Sequence, residues 1–226
     1  MTETAPSRRV RVERAPERAS YGHDAIAGIL DAGLICHLGF VPPRAAAPDG
    51  SSQAAPVVLP MMYARLEDRI YVHGSPASRM LRTLREPLPV CLTVTHLDGL
   101  VYARSAFHHS MNYRSVVVMG RASEVRDTEE KLLALRGLVE RFGSGRWDDA
   151  RKPSLREFNK TLVLSLPLEE ASAKVRTGPP VDDDEDHDLA VWAGVVPLTL
   201  VPGEPVPDPL LPRRIGTPAY VTSKGF

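Results

Sequence analysis

Cysteine is scarce in this chain, with two in 226 residues. Cys36 and Cys91 are far apart and lack the close spacing of a zinc or redox pair, which excludes a disulfide scaffold and a cysteine-built metal centre. Both lie inside apolar runs, GLICHLGFV and PVCLTV, and read as small core hydrophobes. Net charge is missing too: 28 basic residues cancel 28 acidic ones, which argues against a general nucleic-acid or anionic-membrane surface. No apolar run approaches the roughly 20 residues of a bilayer-crossing helix. The opening MTETAPSRRVRVERAPERAS has charges where a signal peptide has its apolar region. The expectation is a cytoplasmic protein with neither membrane nor nucleic acid as partner.

What is present is enough apolar sequence, 43% of residues, for a real core. Residues 1–20 are arginine-rich without an apolar period and read as a flexible or partner-wrapping arm. Residues 21–200 form one domain, and 201–226 are a Pro-rich tail. YGHDAIAGILDAG places Ile26, Ile29 and Leu30 at helical spacing and stops at Gly33. LICHLGFV is a buried strand, PPRAAAPDGSSQAAP a long hairpin loop, and VVLPMMYARLEDRIYVHG two strands turning at LEDR. SPASRMLRTLREP is a short helix starting near Ser75 or Pro76, with Met80, Leu81 and Leu84 on one face. VCLTVTHLDGLVYA, with a possible turn at its DG, and RSVVVMGRASEVR are further strands. DTEEKLLALRGLVERFG is the clearest helix, its stripe formed by Leu132, Leu135, Leu138, Val139 and Phe142. TLVLSLPL and DLAVWAGVVPLTL complete the strands, and TGPPVDDDEDHD is an acidic connector. Short strands separated by turns too tight for crossover helices point to a small, mostly antiparallel barrel.

Three stretches carry candidate chemistry. In RIYVHGSPASRM a strand breaks at Gly74 and delivers Ser78 and Arg79 to a helix start, where a hydroxyl, a guanidinium and free amides can meet a phosphate. The bland reading is that Arg79, Arg82 and Arg85 are its solvated face. FHHSMNYRS gathers His108, His109, Asn112, Tyr113 and Arg114 before a buried strand. Adjacent histidines on a strand point to opposite faces and find no third ligand at useful spacing, so no metal site is expected. In VVLPMMYAR, Pro60 interrupts a strand and Met61, Met62 and Tyr63 offer contacts for a flat ring, or simply pack the core.

In this order, PVVLPMMYARLEDRIYVHGSPASRMLRTL followed by PVCLTVTHLDGLVYARSAFHHSMNYRSVVVMGRASEV resembles the pyridoxamine 5′-phosphate oxidase-like flavoproteins of the FMN-binding split-barrel superfamily. The nitroimidazole-resistance reductase-like branch is the nearest in look. The resemblance implies a mainly β (α+β) fold: a six-stranded antiparallel split β-barrel with peripheral helices, homodimeric, with FMN in clefts between subunits. It places Pro60, Met61, Met62 and Tyr63 beside the flavin ring, with Val72 and His73 on the next strand. Ser78 and Arg79 match the phosphate cluster, and Arg114 and Ser115 match an Arg-Gln pair. Ser115 therefore departs from a glutamine and Met62 from a lysine. The C-terminal substrate motif of the oxidases is missing, which puts vitamin B6 oxidation in doubt, while Trp192 occupies space comparable to their closing segment or packs in the barrel core. His73 matches a histidine near flavin and substrate, as a proton donor or an orienting group. The implied function is an FMN-dependent oxidoreductase acting on a small molecule. The alternative is a non-catalytic flavin, deazaflavin or haem carrier on the same barrel, with His73, His108 or His109 as the iron ligand.

Overall fold

The computed structural model describes residues 4–43 and 55–222. Most of the long hairpin loop expected at PPRAAAPDGSSQAAP lies outside them. The chain divides into two compact units, one of residues 1–33, 92–119 and 169–200, the other of 34–91, 120–168 and 201–226. The long strands β5 (Leu88–Tyr102) and β6 (Ser110–Glu124) contribute to both.

The second unit holds the barrel. Strands β2 (Ile35–Phe40), β3 (Val57–Leu66), β4 (Arg69–Gly74) and β7 (Leu162–Pro167) join parts of β5 and β6 in a ring of six. Its order is β5-β2-β3-β4-β7-β6, closed by the pairing of β6 with β5. The printed pairings are antiparallel, with Ile35 opposite Met62, Tyr63 opposite Val72, and His73 opposite Val163. Strand periodicity explains the filling: Cys36, Leu38 and Phe40 alternate inward while Ile35 and His37 face out. Ile70, Leu164, Tyr63 and Leu38 are at most 1% exposed and form the packed interior. Burial pushes the Cys36 thiol up to about 12, so the thiolate is absent at neutral pH.

Helix α3 (Thr128–Glu140) covers β3, β4 and β7 from outside. Asp127 caps it by accepting the Glu130 amide at 2.8 Å, and Glu129 and Glu130 favour its positive end. Its inner face buries Ala134 and Leu138, and Ala134 packs with Tyr71, Val125 and Val163. The Tyr71 hydroxyl donates to Glu130 at 2.9 Å and ties the first turn of α3 to β4. Short helices α4 (Arg146–Asp149) and α5 (Leu155–Asn159) follow, the latter held by a Ser154–Glu157 capping box. The earlier helix α2 (Arg79–Thr83) buries Met80 and Leu81, with Leu84 buried just after it, and begins at Arg79 and not near Ser75, whose side chain and carbonyl accept the Ala77 and Ser78 amides in the preceding turn.

In the first unit, α1 (His23–Ala32) buries Ile26, Ile29 and Leu30, the stripe read from sequence. Strand β8 (Ala171–Arg176) pairs with β1 (Ala19–Ser20) on one side and β6 on the other. Strand β9 (Gly194–Pro197) pairs with the end of β5. The DG of β5 is not a turn: Gly99 continues the strand because a side chain there would come within 3.1 Å of Val195 and Val196 on β9.

Candidate functional site

The second unit carries an apolar cleft of about 420 Å³, within the range of cofactor sites. Its floor is Met62 of β3 and His73 of β4. Leu135, Leu138, Val139 and Phe142 of α3 form one side, and the segment from Trp147 to Thr161 forms the other. Val72 is buried and points inward, so the strand period turns His73 outward into the cleft beneath α3. The imidazole has no hydrogen-bond partner among the described residues, and surrounding protein atoms hold its pKa below 6.5 by desolvation. Although solvent reaches one side of it, the apolar walls explain the downward shift, and the ring is neutral at pH 7.

The far side of the cleft is built from polar locks. Glu140 accepts the Gly145 amide at 2.7 Å and the Trp147 amide at 2.8 Å, which fixes the entry to α4. Arg151 grips Glu157 with two bonds of 2.9 and 2.7 Å, and Glu157, also bonded by Ser154, is held down to about 2. Lys131 donates to the Phe158 carbonyl at 2.8 Å while lying over the Phe158 ring.

A second, shallower groove of about 360 Å³ runs beside the cleft, lined by Leu34, Ile35, Pro60, Met61, Met62, Arg141 and Phe142. Met62 and Phe142 belong to both hollows. Pro60, Met61, Met62 and His73 are therefore neighbours on β3 and β4 and line these two hollows. Tyr63 and Val72 are 0% and 4% exposed, and their side chains are core. Ser78 and Arg79 sit at the start of α2, with Arg79 exposed and its guanidinium unengaged among the described residues.

The remaining candidates lie in the first unit. Arg114 is held by Asp98 through bonds of 2.9 and 2.8 Å, and this raises its pKa further. The Ser115 hydroxyl donates to the Lys174 carbonyl at 3.3 Å. Trp192 is 65% exposed, which rules out the barrel-core alternative; it stands edge-on to Tyr102 and over Gly194. His108 donates from Nε2 to Asp183 at 3.1 Å and His109 from Nδ1 to the Ser105 carbonyl at 3.0 Å, each bond using one ring nitrogen. Among the described residues there is no cluster of three metal-ligating side chains and no helix long and apolar enough to cross a membrane.

Sequence reasoning missed the wall made by α4 and α5. A readable trace exists in PSLREF, where Ser154 and Glu157 have the spacing of a capping box. Trp147 carries no such signal.

Comparison with known proteins follows this geometry. The family model described as pyridoxamine 5'-phosphate oxidase matches residues 22–175. No curated protein matches the chain. Among solved structures, the flavocytochrome Anf3 from Azotobacter vinelandii is 39% identical, with a TM-score of 0.87 over 97% of this chain and 98% of that one. The FAD and heme binding protein from Mycobacterium smegmatis is 32% identical, with a TM-score of 0.82 over 92% and 97%. A structure named for 5-nitroimidazole antibiotic resistance, from Bacteroides thetaiotaomicron, is 22% identical with a TM-score of 0.54 over 70% and 86%, a likeness of fold alone. With its model spanning most of the domain and two likenesses running nearly end to end, the chain belongs to the pyridoxamine 5′-phosphate oxidase family, whose members bind flavins.

Proposed function

We propose that this protein is a redox protein binding both a flavin and a haem, with the haem in the cleft above His73. The observation that carries this reading is a neutral, unpartnered imidazole on the wall of an apolar cleft of about 420 Å³. A histidine can ligate haem iron only through a deprotonated nitrogen, and a water-poor surround favours that form. Of the three histidines considered for that role, His73 lines this cleft, whereas His108 and His109 lie in the first unit. The end-to-end likeness to a flavocytochrome and to an FAD and heme binding protein supports the same reading, and favours FAD over the FMN expected from sequence.

The residues fit the group. His73, kept neutral by desolvation, would hold the iron, and Leu135, Leu138, Val139 and Phe142 would keep water from the bound group. Met62 lies on the strand beside His73, and among the described residues no second imidazole lines the hollow. The flavin would lie in the groove of Pro60, Met61 and Met62, with Ser78 and Arg79 for its phosphate, and in the homodimer the other subunit would supply Arg114 and Ser115. When bound, a flavin accepts a hydride from a donor and a haem passes single electrons. The protein orients the two, shields them, and performs no covalent chemistry of its own. A small-molecule substrate and a homodimer complete the proposal.

Absorbance of freshly purified protein tests it. A Soret band together with flavin absorption, and release of FAD on heating, are expected. Flavin without haem returns the protein to a flavin-only oxidoreductase with His73 as proton donor. A colourless protein that takes up neither cofactor refutes both.

A further inference from the structure

Within its described residues the C-terminal tail reaches the wall of the cleft. Residues 201–217 are exposed throughout, without strand or helix, and then Tyr220 on the short helix α6 (Ala219–Thr222) becomes half-buried. Its ring and carbonyl press on Gly143, where a side chain would approach to 2.8 Å. Its hydroxyl donates to Asp149 and accepts from the Arg146 guanidinium at 3.1 Å. Asp149 and Arg146 bracket α4, the helix whose Trp147 faces the cleft.

We infer that Tyr220 is a latch that positions the α4 wall and sets the rate at which ligand leaves the cleft. Besides ion pairs of Asp148 with Arg136 and Lys152 and the Lys152 bond to the Trp147 carbonyl, the wall depends on two anchors. Helix α4 is one turn long and buries no residue, too short to persist by its own propensity. It is fixed from inside by Glu140, which caps the Gly145 and Trp147 amides, and from outside by Tyr220. Gly143 fits this arrangement, since any larger residue would displace the tyrosine. An exposed tail that anchors through one aromatic side chain can detach without disturbing the barrel, so the wall has a closed state and an open one. The inference rests on the reading above only in naming the ligand enclosed.

Hydrogen exchange of the full-length protein as purified, read by mass spectrometry on peptides covering 143–153, is the test. Tyr220→Ala removes both hydroxyl bonds and the ring contact. Loss of roughly one net hydrogen bond makes opening about tenfold more frequent. These amides are expected to exchange about tenfold faster in Tyr220→Ala and to a smaller degree in Tyr220→Phe, with barrel peptides unchanged. Gly143→Val reaches the same state from the opposite surface and should match Tyr220→Ala. Bound chromophore should also be lost faster to a competing apoprotein. Faster exchange with unchanged chromophore loss would keep the latch and move the haem elsewhere. Exchange of 143–153 as in the parent protein, in both Tyr220→Ala and Gly143→Val, overturns the latch whatever the cofactor content.

Discussion

If His73 binds iron, affinity for haem must follow the protonation of one imidazole, and the cleft sets how steeply. Only the neutral ring has a free lone pair, so the proton and the metal compete. A solvent-exposed histidine with a pKa of 6.5 is about 9% protonated at pH 7.5 and about 91% at pH 5.5, which costs about tenfold in apparent affinity between the two. In this cleft desolvation lowers the pKa, so protonation begins only at more acidic pH and the loss must be smaller than tenfold. The same shift affects the apoprotein. The unfolded chain takes up a proton on this histidine near pH 6.5 before the folded one does, so its contribution to stability is complete above that pH. It is lost as pH falls toward the lowered folded pKa. Haem titration into apoprotein, followed by Soret absorbance at both pH values, measures the ratio. His73→Ala should abolish the band while flavin content is retained, and free imidazole should restore it. A loss above tenfold, or a His73→Ala variant with an unaltered spectrum, refutes the assignment.

Two further outcomes are expected. Arg79→Ala should weaken flavin binding by about 10- to 100-fold, the value of a charge-assisted bond of about 1.5–3 kcal/mol, read by fluorescence as bound flavin is diluted; unchanged affinity would leave Arg79 as the solvated face of α2. Leu164→Ala, at 1% exposure inside the ring, should destabilise the protein by about 2–5 kcal/mol in urea unfolding, and a loss below 1 kcal/mol would mean that the barrel interior is looser than its burial implies.

How far the sequence could be read follows from which signals are local. The first two barrel hairpin strands, the inward stripe of β2 and the cap of α3 depend on alternation and capping within a few residues, and those were legible. Strand β8 escaped because ASAKVR is small and polar; its Ala171, Ser172 and Ala173 are buried by pairing with β6, a contact far away in sequence. DLAVWAGVVPLTL reads as a long strand on composition, yet only Gly194–Pro197 finds a partner, on β5, and Trp192 is left in solvent. At the site the same division holds. His73 could be selected from its motif, but its meaning comes from α3, α4 and α5, which carry apolar walls to it from residues 135–161. The stripe of α3 shows how: Leu138 does bury against the barrel, whereas Leu132 and Phe142, read as part of the same stripe, are exposed. A helix whose apolar residues exceed one face has more than one surface to cover, and on α3 Leu135 packs on the core while the excess at Val139 and Phe142 lines the cleft. Apolar residues beyond those needed to seat a helix are thus a sequence-level sign of a ligand wall, one that periodicity alone assigns wrongly to the core.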